Sequence, residues 1–163
     1  MTKKVLTRFP KDTNRFSRID VPSIQEMIDY LRKHDTMPCN FQNIQWADIN
    51  MDNLDLTEWR LNGSTFINCT FKGSVLERVH CEEVKFINCD FSEATSLEGV
   101  FNKSQFLGCT FNKTNLVGVS CLGTTFTQCK FLHATITGDS EAFRDSLMDR
   151  CELRHIHVSD GVF

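Results

Sequence analysis

Cysteine and histidine are the residues of this chain whose spacing is most relevant to metal binding or catalysis. The chain has 163 residues, with eight Cys and five His. Cys151, His155 and His157 lie close together, but a zinc site needs four ligands at short spacings and no fourth ligand follows. Gly-rich phosphate loops, nucleophile-elbow motifs and metal-protease helices are also missing. We therefore expect no catalytic residue, no cofactor and no metal site, and a protein that is not an enzyme.

A repeat of five residues explains the cysteines better. Every fifth residue from Phe41 to Ile136 is apolar, with the single exception of Ser96, whose neighbour Leu97 is expected to compensate in the core. The residue two positions earlier is mostly small or β-branched. Gly or Asn often stands two positions later and favours a tight turn. A period of five fits neither a helix nor a flat strand, whose periods are about 3.6 and 2 residues.

The same residue types also recur every 20 positions, so four pentads predict one square coil. The recurring sets are Cys69, Cys89, Cys109 and Cys129; Phe66, Phe86, Phe106 and Phe126; and Phe71, Phe91, Phe111 and Phe131. Since buried Cys behaves as a small hydrophobic residue, we interpret the lattice cysteines as structural thiols. Phe suits the central position because it has no hydroxyl group to satisfy when buried.

Runs such as 69–73, 89–93, 109–113 and 114–118 resemble the repeats of the pentapeptide-repeat family. The resemblance implies an all-β solenoid, a right-handed quadrilateral β-helix of about five 20-residue coils. We expect this β-helix to span 39–138. A basic N-terminal segment and capping helix (1–38) would precede it, and a C-terminal cap (139–163) would follow.

The N-terminal cap is predicted to be a helix over 24–34. Ser23 and Glu26 form a capping-box pattern at its start. An apolar stripe then falls at helical spacing and is expected to close the first coil, with docking of a partner as the alternative. The stripe consists of Ile24, Met27, Ile28 and Leu31.

The C-terminal segment allows two interpretations. The lattice restarts after a two-residue insertion, although Glu141 would then occupy a small inward position. Alternatively, Asp139 or Ser140 caps a helix over 139–151, and a strand follows over 152–158. Helix plus strand is the favoured prediction. Apolar residues near the end also predict a homodimer through Phe143, Leu147, Met148, Ile156, Val158 and Phe163.

Stacked charges provide a check on the 20-residue period. Every charged pair at this spacing in the repeat tract is opposite in sign, which stabilises neighbouring strands. The pairs are Asp52–Lys72, Glu58–Arg78, Arg78–Glu98, Glu83–Lys103 and Glu93–Lys113. Asn68 is expected to stack on Asn88 as an amide ladder.

The resemblance implies a protein-interaction role, and some family members present an acidic rod to DNA gyrase. A DNA mimic needs rows of free carboxylates, whereas the charge of this tract is mixed and the formal net charge is only −3. The expected partner is gyrase, a topoisomerase or another nucleic-acid enzyme, in a bacterial cytoplasm and without direct binding to nucleic acid or membrane. The expected docking residues are Asp48, Asp52, Asp55, Glu58, Glu77, Glu82 and Glu83.

Two alternatives remain open. The basic residues 1–20 fit an export segment, which would make the chain a secreted bacterial effector, or a fragment of one, that binds a host protein. The other alternative is a structural or immunity-type module with a small protein partner.

Overall fold

The computed structural model describes residues 25–29, 38–139 and 141–158, and nearly all regular structure there is short parallel strand. Strands of two or three residues alternate with turns, and each strand pairs with a strand of a neighbouring coil. The chain therefore winds as a four-sided solenoid, with sheets of six, four and three strands on three of its sides. The prediction of an all-β solenoid is confirmed.

Each side of the solenoid takes its name from its sheet. The six-stranded face contains β1 (Gln45–Ala47), β2 (Thr65–Ile67), β3 (Lys85–Ile87), β5 (Gln105–Leu107), β8 (Thr125–Thr127) and β11 (Leu147–Asp149). The four-stranded face contains β4 (Thr95–Leu97), β7 (Asn115–Val117), β10 (Thr135–Ile136) and β13 (His157–Val158). The three-stranded face contains β6 (Thr110–Asn112), β9 (Lys130–Leu132) and β12 (Glu152–Arg154). The fourth side, the bridge face, joins its coils through isolated bridges at Arg60, His80 and Val100.

The strands pair at an offset of 20 residues through most of the solenoid. Phe66 lies opposite Phe86, and Phe106 lies opposite Phe126. This offset is the coil length that the sequence predicts. In the last coil the offset becomes 22, since Met148 lies opposite Phe126.

A residue with positive φ turns the chain at each corner of the square. Every fifth residue from Asn43 to His133 has this conformation; five of these corners are glycine, such as Gly63 with φ 69°, and the others carry a side chain, such as Glu58 with φ 60°. The left-handed region costs a non-glycine residue about 1–2 kcal/mol. Nearly all corner amides donate to a carbonyl of the next coil, as Asn43 does to Asn62 at 3.0 Å, and these bonds offset the cost.

Two ladders of parallel Phe rings fill the core. Ring centroids in the first ladder are 5.3, 4.9 and 4.9 Å apart, and those in the second are 4.7, 5.2 and 4.5 Å apart. Edge-to-face contacts such as Phe71–Phe86, at 5.8 Å and 80°, join the two ladders. Aromatic pairs of this kind contribute about 0.5–1.5 kcal/mol each beyond their burial. The ladders are Phe66, Phe86, Phe106 and Phe126, and Phe71, Phe91, Phe111 and Phe131.

Several small inward residues donate a hydrogen bond to a carbonyl of the preceding coil. Ser64 donates to the carbonyl of Phe41 at 2.8 Å. In the same way, the Cys109 thiol donates to the carbonyl of Phe86 at 3.4 Å. Hydroxyl and thiol groups therefore both serve as donors at this lattice position, which apolar residues such as Val84 occupy in other pentads.

A helical turn at residues 25–29 lies where the capping helix is predicted. Met27 and Ile28 are buried in the same hydrophobic cluster as the first coils. Ile24 and Leu31, the other members of the predicted stripe, lie outside the described residues. The described part of the helix therefore agrees with the predicted cap.

Gln25 protects the open edge of the first coil. Its side-chain Nε2 donates to the carbonyl of Asn50 at 3.0 Å, and its Oε1 accepts from the amide of Asn50 at 2.8 Å. The other side of this coil pairs with the second coil through the bridge between Asn50 and Thr70. The side-chain amide thus replaces a missing strand, because unpaired strand edges invite association with other chains.

The helix predicted over 139–151 is wrong. Residues 141–145 form a turn, and β11, β12 and β13 continue the lattice; β12 and β13 supply the strand predicted over 152–158. Glu141 does not take the small inward position of a restarted lattice, because it is exposed and contacts Arg144 at 2.6 Å, while Ala142 is buried. Gly138 makes this possible, since a Cβ there would lie 2.4 Å from the Cβ of Ala142.

Leu97 does not replace Ser96 in the core. Leu97 is 42% exposed, whereas Ser96 is buried and donates to the carbonyl of Leu76 at 3.0 Å. Strand alternation requires this result, because neighbouring residues of a strand point to opposite sides. Leu76 and Leu116, which lie in the coils on either side of Ser96, both line a cavity of about 10 Å³. The core therefore tolerates one small polar residue at a central position.

We predict that Gly99→Ala destabilises the protein by about 1–3 kcal/mol, the usual cost of overpacking. A Cβ at Gly99 would lie 2.3 Å from the Oγ of Ser96 and 3.3 Å from the carbonyl oxygen of Leu76. Removing that Oγ with Ser96→Ala should reduce the penalty, so the double variant should lose less stability than the sum of the single variants. Urea unfolding of the four proteins measures this coupling, and strictly additive losses would contradict the packing described here.

Candidate interaction surfaces

Outward side chains on four flat faces provide the surface of the solenoid. On each face, the residues before and after the central apolar residue point outward, and the corner residue projects between two faces. Sequence neighbours in the acidic stretch 48–58 therefore separate onto different faces. The position within the coil, rather than proximity in sequence, decides which carboxylates share a surface.

The structure brings three of the seven predicted docking residues together. Asp55 and Glu77 lie on the four-stranded face, and Glu58 occupies the corner beside it. Glu98 occupies the same corner two coils further on, where the 20-residue period places it against Arg78. It is not among the predicted docking residues, because it stands far from the acidic stretch in sequence, and the same period could have added it. The acidic surface is defined as Asp55, Glu58, Glu77 and Glu98.

One stacked ion pair lies within the acidic surface. Arg78 Nη2 lies 3.0 Å from Glu58 Oε1, as predicted from the 20-residue spacing, and both side chains are about half exposed. An exposed pair of this kind contributes at most about 1 kcal/mol to stability. Leu97 lies on the same face, between the coils of Glu77 and Val117. The surface therefore combines carboxylates with an exposed apolar side chain.

Asp48 and Asp52 lie on other sides and bond to the neighbouring coil. Asp48 Oδ1 accepts from the Asn68 side chain at 3.2 Å. Asp52 Oδ1 accepts from the amide of Lys72 at 2.9 Å and from the Thr70 hydroxyl group. These carboxylates help to hold coils together and are separated from the acidic surface.

The same corner also contains the predicted amide ladder. Asn88 Nδ2 donates to Asn68 Oδ1 at 3.5 Å, which extends the Asp48–Asn68 contact by one coil. The stacking predicted for Asn68 and Asn88 is therefore confirmed.

Glu82 and Glu83 line a polar groove on the bridge face and its adjacent corner. The groove has a volume of about 250 Å³, and Asn62, Gly63 and Lys103 contribute to its walls. Asn62 Oδ1 accepts from the amide of Glu82 at 3.0 Å. This groove is a second carboxylate-containing surface, on a different side of the solenoid from the acidic surface.

The last coil exposes apolar side chains at the C-terminal end. Leu147 is 58% exposed and Leu153 is 44% exposed. The predicted dimerisation residues differ in their exposure: Phe143 is buried, whereas Met148, Ile156 and Val158 are partly buried against the core. Phe163 lies outside the described residues. Leu153 was missed, because its lattice position predicted an interior side chain.

The candidate metal ligands do not converge. Cys151 points inward, whereas His155 projects from a corner and stacks on His133, with ring centroids 4.9 Å apart. His157 lies in β13 on another face. Among residues 25–29, 38–139 and 141–158, no group of three or more His, Cys, Asp or Glu side chains is arranged to hold a metal ion.

All eight cysteines are free thiols, and their pKa values are shifted by burial or by hydrogen bonds between neighbouring thiols. Burial raises the pKa of Cys39 to about 11 and also raises the pKa of Cys81 and Cys121. Hydrogen bonding from Cys109 lowers the pKa of Cys129, whereas burial raises that of Cys151. Only Cys39 and Cys151 are partly exposed.

A family model for pentapeptide repeats matches residues 55–93 and 102–138, with eight copies of the repeat. The matched residues carry the corners, the Phe ladders and the 20-residue offset described above. These residues of the chain are therefore repeats of the pentapeptide-repeat family.

Solved structures of pentapeptide-repeat proteins are similar to this chain at low identity. QnrB1, a plasmid-mediated fluoroquinolone resistance protein, is 12% identical, and the match covers 79% of this chain and 88% of QnrB1, with a TM-score of 0.37. Rfr23 from the cyanobacterium Cyanothece 51142 is 12% identical, with coverage of 76% and 86% and a TM-score of 0.23. HetL from Nostoc sp. strain PCC 7120, involved in heterocyst differentiation regulation, is 11% identical, with coverage of 86% and 95% and a TM-score of 0.20.

No curated protein matches the chain by sequence. Within the part of the chain that the structure describes, no helix has the length and apolar character needed to cross a membrane.

We predict that iodoacetamide labels at most Cys39 and Cys151 in the native protein, because the other six thiols are buried and out of reach of the reagent. All eight thiols should react after unfolding in guanidinium. Mass spectrometry of digested samples counts the labelled sites. Rapid native labelling of Cys81 or Cys121 would contradict the buried lattice positions.

Proposed function

We propose that the chain is a non-enzymatic protein-interaction module of the bacterial cytoplasm that binds a nucleic-acid enzyme through the acidic surface. DNA gyrase or another topoisomerase is the first candidate partner. The bound region would be a basic protein surface that otherwise contacts DNA, so the module would imitate part of a DNA strand. Nucleic acid itself would not bind, because carboxylates repel phosphates.

The observation that carries this proposal is the arrangement of the four carboxylates on one rigid side. Asp55 and Glu58 lie in one coil, Glu77 in the next and Glu98 in the third, and coils are separated by about 4.8 Å. Backbone bonds between coils fix these spacings, so little conformational entropy is lost when a partner docks. A preorganised row of carboxylates suits a surface evolved for phosphates.

The acidic surface is less charged than DNA, which limits the imitation. Duplex DNA carries one charge per about 1.7 Å of its axis, and Arg78 neutralises part of the charge of Glu58. Leu97 supplies the exposed apolar area that protein interfaces also use. We therefore propose a mixed interface, in which the carboxylates orient the partner and the burial of Leu97 contributes to the binding free energy.

Charge reversal on this face tests the proposal. We expect the triple variant Asp55→Lys, Glu77→Lys and Glu98→Lys to lose any effect of the protein on gyrase supercoiling, because three attractions become repulsions. The matched control is Glu82→Lys, Glu83→Lys and Asp90→Lys, which changes the same net charge on other faces. The control should retain the effect. No effect of the wild-type protein on supercoiling would exclude gyrase, and equal losses in both variants would contradict the assignment to this face.

We also propose a homodimer through the exposed apolar side chains of the last coil. A second copy would cover Leu147 and Leu153 together with the partly buried Met148, Ile156 and Val158. End coils of solenoids need such cover, because their stacking surface is otherwise open to water.

Sedimentation velocity at micromolar concentration should show a dimer for the wild-type chain and a monomer for the double variant Leu147→Asp and Leu153→Asp. The control is Leu97→Asp, which changes a similarly exposed leucine on the four-stranded face. This control should remain dimeric. A monomeric wild-type chain would refute the dimer, and dissociation of the control would refute the choice of surface.

A further inference from the structure

Five thiols stack in one column along the solenoid. Asp90 N bonds to Cys69 O, Thr110 N to Cys89 O, Lys130 N to Cys109 O and Glu152 N to Cys129 O, so each cysteine lies directly against the next. The first four are buried, and Cys151 ends the column in the last coil, where it is partly exposed. The column therefore has one end that solvent ions reach. The stacked thiols are those of Cys69, Cys89, Cys109, Cys129 and Cys151.

The two thiols at the open end point in the same direction. Cys129 Sγ lies 3.4 Å from the carbonyl oxygen of Phe106, and Cys151 Sγ lies 3.3 Å from that of Phe126. Further carbonyl oxygens, those of Thr127 and Asp149, lie 3.5 and 3.6 Å from the respective sulfur atoms. These hydrogen bonds from the thiols to backbone carbonyls hold both sulfur atoms in fixed positions, one above the other.

The spacing of parallel side chains fits a linear metal complex. Thiols with the same orientation in paired strands are separated by about 4.8 Å, the spacing of the strands. A linear sulfur–metal–sulfur unit with bonds of about 2.3 Å spans about 4.6 Å. Zinc would need two more ligands, and the described residues offer no group of three. Thiolates select soft ions such as Cu(I) instead.

We propose that Cys129 and Cys151 form a site for one soft monovalent cation, Cu(I) or Ag(I), bound linearly between the two sulfur atoms. Binding forms two metal–sulfur bonds and releases the two thiol protons to solvent, and no electron is transferred. The complex carries one net negative charge. Affinity rises with pH, because the cation competes with protons for both sulfur atoms.

Silver provides a redox-inert probe. Ag(I) is titrated into the reduced protein in chloride-free buffer, at a concentration where the chain sediments as a monomer, and thiolate-to-metal absorption in the ultraviolet is followed. We expect the tightest class of sites to bind one ion per chain, as counted by native mass spectrometry. Competition with a soluble thiol should show at least tenfold weaker binding for Cys151→Ser and for Cys129→Ser.

The other partly exposed thiol supplies the matched control. Cys39→Ser should bind Ag(I) as tightly as the wild-type chain, since Cys39 lies outside the column. Cys129→Thr repeats the test, because threonine donates the same hydrogen bond at this lattice position, as Thr124 does to Phe101 at 2.7 Å. Equal melting temperatures show that the variants are folded. Wild-type affinity in either Cys129 variant, or a loss in Cys39→Ser equal to that in Cys151→Ser, would overturn the proposal.

Discussion

A left-handed residue at every fifth position is the constraint on which the rest of this structure depends. Each such corner redirects the chain onto the next face, so four pentads return it to its starting side one strand spacing further along. The strain is tolerated because the corner amides bond to the following coil, as Glu58 does to Glu77 at 2.9 Å. Stacking of identical positions follows directly, and with it the Phe ladders. Stability is therefore shared between neighbouring coils, as expected for a solenoid.

Much of this architecture could be predicted from the sequence, because each lattice position has the same environment in every coil. A central residue is always interior, so a run of Phe and Leu at a period of five reports the fold more clearly than any single strand does. Ser96 was recognised as the exception, but Leu97 could not replace it, since strand alternation turns neighbouring side chains to opposite sides. The alternation of side chains along the strand therefore outweighs the hydrophobicity of a single leucine.

The C-terminal coil shows where sequence periodicity fails. Glu141 at an inward position argues against continued repeats, and helical spacing of the apolar residues favours a helix instead. In the structure Glu141 is exposed and Ala142 is buried, which Gly138 permits by its lack of a Cβ. An insertion changes the phase of the lattice without ending it, and a single sequence does not distinguish the two outcomes. The predicted docking residues separate for a related reason. Neighbours in sequence lie on different faces, whereas the coil period places Glu98 at the same corner as Glu58, two coils further on.

The thiol column shows how the stacking of identical lattice positions can also bring metal-binding groups together. Some small inward positions carry a compact donor for a carbonyl of the preceding coil, as Ser64, Thr124 and Cys109 do, and others carry apolar residues such as Val84. Hydrogen bonding alone therefore gives no reason to prefer sulfur at five successive coils of one column. A hydroxyl column would make the same hydrogen bonds but would not bind soft cations, since these prefer sulfur ligands. The use of cysteine in that column, together with its partly exposed end at Cys151, is the feature for which hydrogen bonding alone does not account.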